Sequence, residues 1–271
     1  MTGCRLNGEI PGSFCQLINL ESLDLSLNNL SGTIPAGFNH CHALKELLLN
    51  NNSLAGPLPL TLFQATSLVS LNLSFNKLSG SLPPQIYQLH RLQILNISSN
   101  NLNGPLPAQL GTLIHLKTLK LGHNEFTGEI PTPLGGLLAL RQLSLKNNRL
   151  TGSIPRSISH LRRLETLDLS ENRLQGEIPI EFSQLVNLET LSLYSNCLSG
   201  LIPEELGGLE RLSVLLLSDN EFEGGTPVDS LRRLSLTETD VPGLLEENES
   251  DSNEEEDEDD EDSEEGGEEE F

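Results

Sequence analysis

The chain has 271 residues, 39 acidic and 16 basic, for a formal net charge of −23. That charge is uneven: 18 acidic residues and no Lys or Arg fall between Glu246 and Phe271, leaving a mildly acidic body that argues against a nucleic-acid groove. No stretch approaches the ~18 apolar residues of a membrane span.

The opening residues, Met1 to Pro11, enter halfway through a unit, with Cys4 where later units place Asn. No apolar leader follows Met1, and no strand half precedes the first full unit. This predicts a fragment of a longer chain, or a protein with a minimal cap. From there one pattern recurs every 24 residues. Asparagine holds Asn28, Asn52, Asn76, Asn100, Asn124, Asn148, Asn172, Asn196 and Asn220; proline runs from Pro11 to Pro227 and glycine from Gly8 to Gly224. A register kept over so many copies without insertion predicts a solenoid, so function should reside on a surface rather than in a cleft.

Within each unit, Leu-x-Leu alternation marks a short strand with one buried face. Leu23 and Leu25 point inward, Asp24 and Ser26 outward. Strands are expected to centre on Leu23, Leu47, Leu71, Leu95, Leu119, Leu143, Leu167, Leu191 and Leu215, all parallel. The column asparagines, each with one acceptor and two donors, are expected to form a ladder satisfying the turn backbone. On the return limb, the columns starting at Phe14 and Leu17 predict short 3₁₀ or irregular segments. Stacked coils then share one continuous core, which is how 36% apolar residues and no Trp suffice. The last unit is degenerate: Leu231 and Leu234 sit one residue out of column, and Leu236, Thr239 and Val241 stand at core positions.

One full unit reads Leu44, Leu47, Leu49, Asn52, Leu54, Gly56, Leu58, Pro59, Leu62, Ala65. This resembles the plant-type leucine-rich repeat, whose Gly-x-Ile/Leu-Pro ending is found in receptor-like kinase ectodomains, receptor-like proteins and polygalacturonase inhibitors. The resemblance covers residues 3 to about 241. It implies an α/β solenoid, a right-handed superhelix with a concave parallel β-sheet and short 3₁₀ convex segments. It also implies non-enzymatic recognition of a protein or peptide, in signalling or defence, at the plasma membrane or outside the cell. The family's amino-terminal cysteine cap is absent. A secreted inhibitor of a cell-wall hydrolase is the first alternative. An intracellular scaffold or histone-binding protein using the acidic tail is the second; its tail resembles those of acidic nuclear phosphoproteins. Residues 1–241 are read as the repeat domain, with its first unit truncated and its last degenerate, and 242–271 as a disordered acidic tail, open to basic partners; from Glu246 on it repels itself and has no apolar residue to bury before Phe271.

Outward positions then nominate binding residues. Phe75 and Tyr194 are aromatics on an otherwise polar face; His123 shares a column with Phe75. Lys117, Lys120, Arg141, Lys146 and Arg149 are expected to form a basic patch, with Glu165, Asp168 and Glu171 as an acidic patch beside it; a solvated mixed-charge face is the plainer reading. Asn29, Asn51, Asn72, Asn96 and Asn248 begin Asn-x-Ser sequons, open to glycosylation in the secretory pathway, although the repeat consensus itself generates such triplets. No catalytic or cofactor signature occurs, and His40 and His42 lack further ligands for a metal. Cys41 occupies a core column, Cys15 a column read as exposed, and Cys4 and Cys197 lie far apart, so four free thiols are expected.

Overall fold

The structure, a computed structural model, describes residues 1–242 and Leu244. The acidic tail from Glu246, with the sequon at Asn248, lies outside the described residues.

Ten short strands form one parallel sheet, from Ser22–Asp24 through Glu46–Leu48 and onward to Val214–Leu216 and Glu238–Thr239. Each pairs with its neighbour at an offset of one unit: Leu23 opposite Leu47, Leu47 opposite Leu71, Leu191 opposite Leu215. The expected strands therefore form, in register, and this sheet lines the concave face. The degenerate last unit supplies the tenth strand, with Thr239 opposite Leu215. There the return limb closes with an α-turn, Val228–Leu231, which absorbs the residue out of column and buries Leu231, Leu234 and Val241. The Asp240 carboxylate accepts from the N–H groups of Leu217 (2.6 Å) and Ser218 (3.0 Å), so a side chain takes up a backbone donor that the next coil's carbonyl satisfies elsewhere.

The asparagine ladder ties coil to coil. Asn76 Oδ1 accepts from Leu54 N–H of the preceding coil at 2.9 Å. Its Nδ2 donates to Leu49 O of the preceding coil (3.0 Å) and to Leu73 O and Ser74 O of its own (3.1 and 3.2 Å). The pattern recurs from Asn52 to Asn220. Immediately before each of these asparagines stands a non-glycine residue in the left-handed region: Leu27, Asn51, Phe75, Ser99, His123, Asn147, Glu171, Ser195 and Asp219, φ 51–56°. Hydrogen bonds to the next coil hold this conformation; Phe75 N–H donates to Ser98 O at 3.0 Å and Asn76 N–H to Ser99 O at 3.1 Å.

Proline precedes each five-residue 3₁₀ turn, as at Pro59 before Leu60–Gln64, with φ −69° and no N–H to orphan. The two return-limb columns are buried through the central coils, with Phe38, Phe63, Phe126 and Phe182 the largest side chains in the core. The column containing Cys15, Asn39, Phe63 and Tyr87 is not uniformly exposed. Cys15 is 5% exposed and Phe63 is buried. Cys15 packs beneath Gly37 of the next coil, where an ideal Cβ would fall 2.8 Å from its Sγ. All four cysteines are free thiols, and burial raises the pKa of Cys15 and Cys41.

A second set of parallel strands runs down one flank, which the sequence does not announce. Its longest part joins Ala55–Pro57, Lys77–Ser81, Asn101–Pro105, Glu125–Glu129 and Arg149–Thr151. Here the pairing offset is 22 residues rather than 24, so Gly56 faces Leu78 and Gly80 faces Leu102. Gly56 and Gly80 adopt φ of 82° and 80°, a region that favours glycine. The glycine column thus lets the chain turn from flank strand to proline corner.

Candidate functional site

The concave sheet presents its outward side chains in rows that run across the coils. Strand residues at alternate positions must face away from the leucine core, so Asp24, Leu48, Asn72, Asn96, Lys120, Ser144 and Asp168 form a central row. Four members of this row are locked from within. Asn72 Oδ1 accepts from the Ser74 N–H (3.2 Å) and hydroxyl (2.8 Å); Asn96 with Ser98, Asp24 with Ser26 and Asp168 with Ser170 repeat the motif. An Asp/Asn-x-Ser triplet at a strand end is therefore a rigid turn here, and its spacing was available in the sequence as a signal. For Asn72 and Asn96 the serine concerned is that of their own sequon. Asn29 lies exposed on a flank strand, and Asn51 in the left-handed turn.

The nominated residues separate into groups. Lys120 and Asp168 stand in concave strands, with Lys117 and Arg141 just before theirs. Phe75, His123 and Glu171 occupy the left-handed column at the rim. Arg149 does not join them: it lies in a flank strand, where it pairs with Glu125 at 3.2 Å. The basic and acidic groups also interleave rather than standing apart as two patches. Arg141 bonds Glu165 of the next coil, and Lys146 lies 3.1 Å from Glu171. Among the described residues, Lys117 and Lys120 have no ion pair, unlike the other three members of the expected basic patch.

Tyr194 belongs to a network spanning three coils. Its hydroxyl donates to Glu171 Oε1 at 2.7 Å and accepts from Lys146 Nζ, which sits 5.0 Å from the ring centroid. Lys146 and Tyr194 are two units apart and meet above Ser170, whose small side chain is fully buried between them. Asn147 completes the set by donating to Glu171. The Tyr194 hydrogen bond, then the Asn147 one, hold the Glu171 carboxyl down at about 2, against an ordinary 4.5. Tyr194 likewise holds the Lys146 ammonium well above its ordinary range. A depressed carboxyl adds stability that is fully present above its unfolded pKa and lost as pH falls through its folded pKa. Glu171→Gln should therefore be less stable than the parent at pH 7, by about 1 kcal/mol given partial solvent screening. The gap should close between pH 4.5 and 2. Urea midpoints that differ equally at pH 7 and pH 2 would show that the network does not act through this charge.

Phe75 is the large side chain that the network leaves alone. It is 56% exposed, at φ 54°. A bulky residue in the left-handed region is uncommon and costs of order 1–3 kcal/mol unless its surroundings hold it. Among the described residues no group of three or more His, Cys, Asp or Glu side chains is placed to hold a metal.

Comparison with known proteins bears on this face. The family model described as Leucine rich repeat matches residues 3–54, 114–174 and 179–222, and a second, Leucine Rich Repeat, matches 67–89 and 91–113. No curated protein matches. Among solved structures, a plant peptide hormone receptor, RGFR1 in complex with RGF2, is 36% identical, with a TM-score of 0.87 over 89% of this chain and 38% of its own. The ectodomain of the Arabidopsis receptor kinase HAESA, in complex with an IDA peptide hormone ligand, is 38% identical, with a TM-score of 0.85 over 88% of this chain and 40% of its own. A plant ice-binding protein is 34% identical, with a TM-score of 0.75 over 86% and 77%. The chain thus spans well under half the length of these two receptor chains.

Proposed function

We infer function from one premise: the chain belongs to the leucine-rich repeat family, in its plant-type form. On that premise the concave face is a recognition surface for a protein or peptide, serving receptor-like signalling. The two receptor structures named above are in complex with peptide hormones, and the same use is proposed for this chain. The observation that carries the reading is the distribution of free chemistry on that face. Most concave charges and amide oxygens are consumed by partners in their own coil, as at Asp24, Asn72, Asn96 and Asp168, or in the next, as at Arg141 and Lys146, while Phe75, Lys117, Lys120 and His123 remain open. Phe75 and the Lys120 coil are two coils apart, about 10 Å at the usual strand spacing, which three extended residues span. The fitting ligand is an extended peptide carrying an apolar side chain and, about three residues away, a carboxylate. The main chain of such a peptide has the Nδ2 groups of Asn72 and Asn96, whose Oδ1 atoms alone are used by the turns, and the Ser144 hydroxyl to bond along the row.

The test is selection of random displayed peptides by the full chain. Selected peptides should share an aromatic or aliphatic residue near an Asp or Glu. Lys120→Glu and Phe75→Ser should each weaken a selected peptide by about tenfold or more, the effect of losing a charge partner or an interface anchor. Peptides without a shared motif, or binding indifferent to both substitutions, would defeat this reading.

A further inference from the structure

A second surface lies away from the concave sheet, at the corner between the flank strands and the 3₁₀ turns of the last coils. It is a groove of about 1020 Å³ that follows the proline column from Pro155 to Pro227 across four coils. Its wall is apolar where Ile180 and Leu201 project, 53% and 66% exposed. Apolar side chains of this size standing together in a concavity, not scattered singly, mark a binding surface. Its charge is one-sided: Glu177, Glu181, Glu204 and Glu205 line it against Arg156 alone. Glu177 shares its column with Glu9 and Glu129, but at the positions equivalent to Glu181, Glu204 and Glu205 the earlier coils, from Gly12 and Ser13 to Thr132 and Ser157, carry no acid. The repeat does not require acids here.

Glu181 gives the strongest local sign. One carboxylate oxygen lies 3.4 Å from Arg156 Nη1. The other is buried without a hydrogen-bond partner, the only such side-chain atom among the described residues. An orphaned buried carboxylate oxygen is costly, and native structures seldom keep one without a reason. Turning the carboxylate out from its long 3.4 Å contact with Arg156 would bring this oxygen to a donor in the groove.

We propose that this groove docks a basic, apolar segment of a partner protein: an extended stretch in which Arg or Lys alternates with aliphatic residues. Alternation matters because successive side chains of an extended segment point to opposite sides. One set would then meet Ile180 and Leu201, and the other the glutamate rim. Three coil spacings come to about 14 Å, room for about four extended residues. The guanidinium or ammonium nearest Glu181 supplies the missing donor. The chain's own tail is excluded as occupant by its charge. This proposal uses neither the concave face nor the peptide inferred for it, so either can fail alone.

The probe is a fluorescein-labelled octapeptide of alternating arginine and leucine, titrated against the full chain at about 0.15 M ionic strength, where weak exposed attraction is screened. Two comparison peptides replace leucine by glycine and arginine by glutamate. Binding is read by anisotropy and located by amide chemical shifts. The arginine–leucine peptide should bind, shift the groove between Ser153 and Pro227, and lose about tenfold in affinity on the double substitution E204K/E205K, as for reversal of charges across an interface. Leu201→Asp should weaken it similarly, and Lys120→Glu on the concave face should leave it unchanged. Both groove changes are at exposed sites, and an unchanged urea midpoint would verify that the fold is kept. Equal binding of the arginine–glycine peptide, shifts confined to the concave face or to residues beyond 246, or no binding would each overturn the proposal.

Discussion

Asn124→Ala is expected to cost about 2–3 kcal/mol in a urea titration, and Asn220→Ala about 1 kcal/mol. The two amides make the same bonds. Asn124 accepts from Leu102 N–H and donates to Ile97 O, Leu121 O and Gly122 O. Asn220 accepts from Leu198 N–H and donates to Leu193 O, Leu217 O and Ser218 O. Each bonds only its own coil and the preceding one. The difference therefore does not come from the central coil having two neighbours. It comes from burial: Asn124 is buried and Asn220 half-buried, so water can replace the lost amide at one site and not at the other. Because a solenoid can unfold from an end, the slope must be followed along with the midpoint. Equal losses in the two variants, with unchanged slopes, would mean that burial does not decide the cost of a rung.

What was legible in the sequence follows from what repeats. The concave strands, the ladder and the 3₁₀ columns each depend on a residue type at a fixed place in the 24-residue unit, so they are visible without a structure. The flank sheet depends on no side-chain column of its own. Its pairing is offset by 22 residues and brings a glycine opposite a leucine, as at Gly80 and Leu102, a pairing that in-register columns do not show. The left-handed rim is hidden for another reason. Leu27, Phe75, His123 and Glu171 share a conformation but no chemistry, because hydrogen bonds to the next coil impose it. Cys15 is buried because the next coil places Gly37 over it, a fact about a neighbour rather than about a column.

The candidate site was half legible for the same reason. Phe75, Lys120 and Tyr194 could be nominated from outward positions. The partners that consume Arg141 and Lys146 were readable only by treating a separation of one or two units as a contact: Arg141 with Glu165, Asn147 with Glu171, Lys146 with Tyr194. Charge counted by coil suggests two patches; charge paired across coils leaves, among the described residues, Lys117 and Lys120 as the members of the basic group without an ion pair. Arg149 falls on the flank because the chain turns away from the concave face after the ladder asparagine, between Asn148 and the flank strand Arg149–Thr151.

The other large effect is expected at Gly135→Ala, on the convex side. Gly135 sits in the 3₁₀ turn Thr132–Gly136. A Cβ added there would fall 2.3 Å from Ser157 O and 2.7 Å from Ser157 C, the backbone of the next coil. Backbone cannot rotate aside as a side chain does, so the coils must separate locally, a cost of about 2–3 kcal/mol for a single methyl in packed surroundings. The same column tolerates Phe63 and Tyr87 in earlier coils, so the constraint is the close approach of these coils and not the position within the unit. Gly208→Ala is the matched control. No atom lies within 4 Å of its ideal Cβ, and its φ lies outside the left-handed region. There alanine should be neutral, or stabilising by about 0.4–1 kcal/mol through reduced unfolded-state entropy. Urea midpoints compare the two directly. If Gly135→Ala unfolds where the parent does, the coils can spread without loss. The convex side would then be compliant, and close packing there would not be what fixes the spacing of the concave rows on which recognition depends.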